Sequence, residues 1–350
     1  MNIAVTGGAG YIGSHAALRL LRDGHRVVVL DNLSRGHTGA LEAIRRAVPA
    51  AAGNLVFWRG DVGDDAAVAK VLTAERCEAV MHFAAYAYVG ESVHEPVMYY
   101  TNNVAQTLGL LRACDAAGVG RFVFSSTNST YGEPTPAQVP IGEDLEQRPI
   151  NPYGASKFMV ERILTDYAAA RKQAGKQFGL AILRYFNVAG CDQTGVLGEH
   201  HDPETHLIPV VLQCLLGRRP QQDNTVTVFG TDYATPDGTC IRDYIHVDDL
   251  VDAHATVLSA LRPGERRVYN LGIGKGSSVK EIIAAAEAVS GRKVKVAYGP
   301  RRAGDPALLF ANPGRIRSEL GWAAKVTDLQ RIVASAWKWF ESHPTGYTVK

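Results

Sequence analysis

Gly7-Gly8-Ala9-Gly10-Tyr11-Ile12-Gly13 follows the apolar run Ile3-Ala4-Val5 and opens a helical pattern that ends near Asp23-Gly24. A second apolar run, Val27-Val28-Val29-Leu30, stops on Asp31. Strand, glycine turn, helix, strand and acid are the parts of a dinucleotide-binding βαβ unit, in order. Gly7 permits the tight turn, Gly10 lets the backbone approach a pyrophosphate, and Gly13 lets the helix pack closely on the strand. The helix N-terminus offers orphan N–H groups and the positive end of its dipole to the phosphates. Asp31 stands 18 residues after Gly13, where an acid meets the adenosine ribose. Its carboxylate attracts two free hydroxyls and repels a 2′-phosphate, so the expected cofactor is NAD rather than NADP. Arg35 and His37, just beyond, read as a solvated loop. The glycines run G-x-x-G-x-x-G, a departure from the commoner G-x-G-x-x-G spacing.

Working outward, β-rich apolar runs recur at Ile3–Val5, Val27–Leu30, Leu55–Trp58, Ala79–Phe83, Phe122–Ser125 and Leu180–Tyr185. Helical patterns lie between them, at roughly 14–40, 64–75, 96–118 and 152–174. This alternation predicts an α/β fold, a doubly wound parallel (Rossmann) sheet with helices on both faces. Right-handed crossovers then gather the carboxyl ends of the strands on one edge, where ligands bind. After Asn187 the texture becomes rich in Gly, Pro, Asp and Thr, with a helix near 206–216 and a strand at Thr225–Phe229. A helix near 248–261 and a strand at Val268–Leu271 read as a return to the first domain. A small unit follows, with helices at 278–290, 314–320 and 327–342 and a strand at Val294–Tyr298. The expected division is a cofactor domain of 1–190 plus about 241–275, and a smaller discontinuous α/β substrate domain of about 191–240 plus 276–350.

The 350 residues are 46% hydrophobic with a formal net charge of +2, an ordinary globular composition that gives no support for nucleic acid or an anionic membrane as partner. No apolar run approaches the ~18–20 residues of a membrane span. The chain opens directly on a strand pattern, and its five scattered cysteines (Cys77, Cys114, Cys191, Cys214, Cys240) form no C-x-x-C pair. A cytoplasmic protein with reduced thiols is expected. Gly198-Glu199-His200-His201-Asp202-Pro203-Glu204-Thr205-His206 crowds three histidines and three acids, but without a recognised ligand spacing. It reads as a polar loop, and no metal is assigned. Trp337, Trp339 and Phe340 read as anchors of the last helix.

Further chemistry falls at predicted strand ends. Asp61-Val62 suits an adenine edge, and His82-Phe83-Ala84-Ala85 is small enough for a cofactor to lie across. Ser125-Ser126-Thr127 ends the fifth strand, with Tyr131-Gly132 beyond it. Then comes Asn151-Pro152-Tyr153-Gly154-Ala155-Ser156-Lys157, where Pro152 suits a first helical turn and places Tyr153 and Lys157 on one face. A phenol with pKa ~10 is a poor base at neutral pH. An ammonium ~5 Å away at an effective dielectric of ~20 favours phenolate by ~3 kcal/mol, roughly two pKa units. The positive nicotinamide ring of an oxidised cofactor adds to this, so the pair is expected to act as a general base.

The glycine turn, Asp61, Phe83-Ala84-Ala85, Ser125-Ser126-Thr127 and Tyr153/Lys157 resemble the extended short-chain dehydrogenase/reductase superfamily. Arg184-Tyr185-Phe186-Asn187, Phe229-Gly230-Thr231-Asp232-Tyr233, Asp237-Gly238-Thr239, Arg242-Asp243-Tyr244-Ile245-His246-Val247 and Arg302-Ala303-Gly304-Asp305 narrow the resemblance to the UDP-glucose (UDP-galactose) 4-epimerases. It runs from residue 3 to about 343. It implies tightly held NAD and a homodimer joined through the helices near 96–118 and 152–174. Tyr153 would take the proton of the sugar 4-OH, Thr127 would bond the same oxygen, and Lys157 would hold the nicotinamide ribose. The resemblance adds Tyr11, Ile12, Asn32, Asn102, Ser125 and Tyr185 to the surroundings of the cofactor. On the substrate side it assigns Arg242 and Arg302 to the diphosphate, Asp305 to the uridine ribose and Phe229 to the uracil. Asn187 would touch the diphosphate or sugar, with His206 and Leu207 nearby.

Three positions depart from the family's pattern. Ala87 stands where many members have lysine, His206 where asparagine is common, and Leu309 at the gate beside the sugar. Ala87-Tyr88-Val89-Gly90-Glu91-Ser92 is also familiar from UDP-xylose/UDP-arabinose 4-epimerases. A nucleotide-sugar 4,6-dehydratase is the nearest rival of another reaction type. That class needs an acid pair directly after the active-site threonine, where this chain has Asn128-Ser129. Asp31 disfavours an NADPH-consuming reductase, and the intact Thr127/Tyr153/Lys157 set disfavours a non-catalytic nucleotide-binding regulator.

Overall fold

In the computed structural model, which describes residues 1–302 and 304–347, Val27, Val28, Val29 and Leu30 are all fully buried. A strand buried on both faces must lie inside a sheet covered twice. It is β2 (Arg26–Asp31), second in the series β1 (Asn2–Thr6), α1 (Tyr11–Arg22), β2, α2 (Thr38–Ala47), β3 (Leu55–Arg59), α3 (Asp65–Ala74) and β4 (Ala79–His82). The helical stretch expected over 14–40 is thus two helices separated by β2, because Gly24 ends the first and the valine run cannot stay on one helix face. Helices α4 (Val89–His94), α5 (Pro96–Tyr100) and α6 (Gln106–Ala117) lead to β5 (Arg121–Thr127), α7 (Pro152–Gln173) and β6 (Gly179–Tyr185). Between α5 and α6, Thr101–Ala105 forms a π-turn, a feature frequent at functional sites.

Beyond β6 the strands shorten: β7 (Asn187–Ala189), then α8 (Leu207–Leu215), β8 (Thr225–Phe229), β9 (Ile241–Arg242) and β10 (Tyr244–His246). Next come α9 (Val247–Ala260), β11 (Arg266–Leu271), β12 (Ser277–Ser278), α10 (Val279–Ser290) and β13 (Lys295–Gly299). Finally β14 (Leu308–Leu309), α11 (Gly314–Leu320) and α12 (Leu329–Ser342) complete the described chain. Ala303, inside the Arg302–Asp305 motif, and 348–350 lie outside the described residues.

The main sheet has the order β11-β6-β5-β4-β1-β2-β3, all parallel. The two-residue period of its strands sorts side chains between two cores. Ile3, Val5, Val27, Val29 and Met81 meet α1, α2 and α9 on one face. Ala4, Val28, Leu30, Val80, Phe122 and Phe124 meet α3, α6 and α7 on the other. Strand order reverses between β1 and β4, which opens a crevice at their carboxyl ends. A third core, with Ile208, Val211, Val226, Val228, Ile282, Ile332, Trp337 and Trp339, holds a smaller α/β unit of α8, β8, α10 and α12 together. The three short strands β12-β9-β14 form a separate sheet beside it. Among the described residues no helix is long and apolar enough to cross a membrane.

Candidate active site

The glycine turn is packed to the limit of its backbone. Gly7 has φ +67°, and a Cβ on it would lie 2.7 Å from Ala84 N, so only glycine lets the turn abut the end of β4. A Cβ on Gly13 would sit 2.2 Å from Gly7 O. Gly13 therefore packs the first turn of α1 onto the glycine turn, rather than onto the strand as the sequence argument had it. Gly10 caps α1 with no side-chain hydrogen bond, which suits a pyrophosphate approaching that helix end.

Asp31, buried, accepts from Ala9 N at 2.9 Å and Leu33 N at 2.8 Å. Burial raises its pKa, and those two N–H groups oppose the rise. Arg35 and His37 are not the solvated loop expected. Arg35 pairs with Glu91 at 2.6 Å and lies 4.9 Å from the Tyr88 ring centroid. His37 is buried and stacks on His200 at 4.2 Å. Neither is set to receive a 2′-phosphate, so the turn and its acid fit NAD. Asp61 accepts from Gly63 N at 3.2 Å and from Asn32 Nδ2 at 3.4 Å, with Val62 buried behind it. Phe83, Ala84 and Ala85 border the crevice, and Thr6 Oγ1 accepts from Ala84 N. Ile12 is half-buried in the first turn of α1. Tyr11 turns its hydroxyl away to Gly190 O at 2.5 Å, which ties the glycine turn to the chain just past β7.

Asn151 caps α7 by accepting from Gly154 N at 2.8 Å, and Pro152 occupies the first turn. One face of that helix therefore carries Tyr153, Lys157 and Glu161 over the end of β5. Thr127 Oγ1 accepts from Ser129 N at 3.2 Å and lies near enough to the Tyr153 phenol to favour its ionised form. Lys157 Nζ donates to Ser125 O at 2.9 Å and sits 5.0 Å from the Phe124 ring centroid. Ser125 Oγ is also hydrogen-bonded to the buried Tyr185 hydroxyl. The protein groups do not lower the phenol as the sequence argument expected. Burial pushes Tyr153 up to about 12 against the effect of the Thr127 hydroxyl, and pushes Lys157 down to about 7 against the attraction of Glu161. A low-dielectric site penalises phenolate and ammonium alike.

Two supports went unread in the sequence. Asn103, buried within the π-turn, accepts from Tyr86 N and donates to Tyr86 O and Ser156 Oγ, at 2.9, 3.0 and 3.0 Å. Neighbouring Asn102 donates to Asn103 Oδ1. Glu161, one turn beyond Lys157, takes a fork from Arg184 and hydrogen bonds from Ser126 and Gln147. The spacing Tyr153, Lys157, Glu161 was the available signal for it.

The substrate residues are gathered but engaged with one another. Arg242 is paired with Asp305, the residue assigned to the ribose. Arg302 lies over the Phe229 ring, 4.0 Å from its centroid. Asn187 N donates to Asp243 O, which joins β7 to the strand region of Arg242. His206 caps the start of α8 ahead of Leu207, with its Nδ1 held by Glu199 and Glu204. Leu309, 9% exposed, belongs to a small apolar cluster with Tyr131, Ile141, Phe186 and Ala311.

A model of the family described as "NAD dependent epimerase/dehydratase family" matches residues 3–272. The chain is 46% identical to a probable UDP-arabinose 4-epimerase 3 of Oryza sativa subsp. japonica, over 99% of this chain and 84% of that one. It is 45% identical to a UDP-glucose 4-epimerase of Halalkalibacterium halodurans, over 100% and 98%. A crystal structure of UDP-glucose-4-epimerase from Stenotrophomonas maltophila, with bound NAD and formylated UDP-arabinopyranose, superposes with TM-score 0.90. That likeness carries 38% identity and covers 98% of this chain and 99% of the other.

Proposed function

From the premise that the chain belongs to the NAD dependent epimerase/dehydratase family, we propose that it inverts C4 of a UDP-sugar, interconverting UDP-galactose and UDP-glucose. The observation that carries this is the Thr127/Tyr153/Lys157 group beside a glycine turn and acid suited to NAD. Gly7–Gly13, Asp31 and Asp61 would hold NAD, which when bound would supply hydride chemistry at C4 and a positive ring to offset the burial that holds Tyr153 protonated. Tyr153 removes the proton of the sugar 4-OH and returns it. Thr127 orients that phenol and the sugar oxygen. Lys157, anchored on Ser125 O, holds the nicotinamide ribose and lends its charge when protonated. Glu161 favours that protonated form.

Inversion requires the 4-keto sugar to present its other face, so binding must concentrate on the UDP and leave the sugar free to turn. Arg242 and Arg302 serve the diphosphate, because guanidinium forks match its oxygens. Asp305 serves the ribose and Phe229 the uracil. Asn187, Leu207 and Leu309 border the sugar side. The substrate half is assigned to about 191–240 plus 276–350.

The partner is a second copy of the chain. Val93, Val97, Leu108, Phe158 and Met159 leave an apolar surface on α4, α5, α6 and α7, with Val97 76% exposed. Large exposed apolar patches mark interaction surfaces.

A second reading, epimerisation of a UDP-pentose, draws on Ala87–Ser92 and on the rice relative. Both readings are tested by supplying UDP-galactose, UDP-xylose and UDP-arabinose to protein purified without added cofactor. UDP-glucose formed from UDP-galactose at the highest kcat/KM supports the first. Preference for the pentoses selects the second, and a dehydrated 4-keto product overturns both.

A further inference from the structure

The Gly198–His206 stretch is no solvated loop. The chain buries Glu199 and Glu204, whose side chains are only 4% and 2% exposed, and sets over them His201 and His206, whose side chains are 18% and 41% exposed. Their polar atoms converge. His201 Nδ1 lies 3.2 Å from Glu199 Oε1 and 3.5 Å from Glu204 Oε2. His206 Nδ1 lies 3.1 Å from Glu199 Oε1 and 3.0 Å from Glu204 Oε1. One ligand atom from each of the four can be chosen so that all lie within 4.8 Å of one another.

Hydrogen bonding among these groups leaves atoms unserved. A ring nitrogen offers one N–H or one lone pair, in one direction. His206 Nδ1 nonetheless faces two carboxylates at nearly equal distance. His201 Nδ1 and Glu204 Oε2 are buried and make no hydrogen bond among the described residues. The Tyr88 hydroxyl, on a ring 6.0 Å from both imidazoles, is in the same condition. A buried polar atom without a partner costs about 1–3 kcal/mol, more when charged. His206 Nδ1 already has Glu204 Oε1 as a partner, so it is the unserved His201 Nδ1 and Glu204 Oε2, beside Glu199, that call for a cation.

We propose that Glu199, His201, Glu204 and His206 bind one divalent transition-metal ion, with zinc the best match. Ligands at ~2.0–2.1 Å in a tetrahedron stand ~3.3 Å apart, and with Glu204 Oε2 as the fourth donor the separations of 3.2, 3.5 and 3.1 Å between nitrogens and carboxylate oxygens lie close to that edge. Two carboxylates and two neutral imidazoles balance a 2+ charge. The nitrogen donors disfavour magnesium and calcium, which take oxygen ligands. The ion is structural: it ties the start of α8 to the segment of Tyr88 and, through the edge contact of Tyr11 with His201 at 6.1 Å, to the glycine turn. No part of this depends on the sugar the enzyme accepts.

The test uses the full-length protein with its cofactor. Metal analysis after purification in zinc-containing buffer and desalting is expected to find about one zinc per chain. Stripping with a chelator is expected to lower Tm by a few degrees, and added zinc to restore it. Cobalt(II) added to stripped protein is expected to give the intense visible bands of a four-coordinate site. Glu204→Gln is expected to weaken retention at least tenfold, and His201→Asn serves if that variant does not fold. Wild-type protein that holds no zinc and shows no change in Tm or cobalt spectrum overturns the proposal. So does one equivalent of zinc retained unchanged by a folded Glu204→Gln or His201→Asn variant.

Discussion

The β1–α1–β2 region and the β9–β12–β14 region are built on opposite rules. The first is local: its turn, helix and acid fall within residues 2–31, and Asp31 is bonded to Ala9, within the same βαβ unit. The second is assembled across long separations. β9 pairs with β12 and with β14, and Arg242 meets Asp305 over 63 residues. One region is set by its own stretch of chain and fits the cofactor. The other depends on the completed fold and, in the function proposed above, would receive the nucleotide sugar.

If that contrast is right, substitutions beside the cofactor crevice, at Tyr153 on α7, and in the β9–β12–β14 region separate chemistry from binding. Tyr153→Phe is expected to lower kcat at least 10²-fold, the lower end for loss of general acid–base help, while UDP binding survives. Single-turnover kinetics beside UDP calorimetry check this, and activity within a few-fold of wild type removes Tyr153 from its role. Arg242→Met is expected to raise KM for the UDP-sugar about tenfold or more, with a smaller change in kcat, because a charge-assisted hydrogen bond contributes ~1.5–3 kcal/mol. A change confined to kcat would erase the distinction.

Leu309→Ser gives a smaller effect. Overpacking a buried site costs ~1–3 kcal/mol, so trimming this side chain is expected to raise the kcat/KM ratio of UDP-GalNAc to UDP-galactose about fivefold or more. Because Leu309 packs on Ile141 and Phe186, Tm is expected to fall as well. An unchanged ratio, measured on folded variant, denies Leu309 the gate.

The gentlest probe is pH. His82 in β4 and His254 in α9 are buried, and burial holds them down to about 3 and about 4. The unfolded chain takes up these protons below about pH 6.5 while the folded one does not. Stability is therefore fully present above that pH and lost as pH falls toward 4, by up to about 1.4 kcal/mol per unit for each histidine. Urea titrations at pH 7 and pH 5 are expected to show the fall, and His82→Asn to flatten it. Equal midpoints at both pH values would contradict the assignment.

Legibility followed the same divide. Continuous apolar runs such as Val27–Leu30 announced the main sheet, and Tyr153 and Lys157 were readable because four-residue spacing has one meaning on a helix. The 14–40 helical span is drawn too wide: it runs across Gly24 and the Val27–Leu30 strand that the same sequence announces. Two-residue strands such as β9, β12 and β14 carry no periodicity, so Arg242, Asp305 and Leu309 were reached only through resemblance. The pairing of Arg242 with Asp305 was invisible, since nothing local marks two residues as partners at such a distance. Glu199, His201, Glu204 and His206 read as part of a polar loop, because burial of a loop is decided by what packs over it.

The Arg242–Asp305 pair also bears on how substrate arrives. If Arg242 receives the diphosphate as proposed, its contact with Asp305 makes UDP-sugar capture an ion exchange: the diphosphate would displace an internal counter-ion instead of adding to a bare positive surface. The released carboxylate then stands beside the incoming nucleotide, free to accept from a sugar hydroxyl. Capture of this kind releases fewer solution ions than an open basic cradle, so affinity responds only weakly to ionic strength. Inorganic diphosphate, which brings the charge but no hydroxyl for the freed Asp305, is expected to bind more weakly than UDP in a calorimetric comparison.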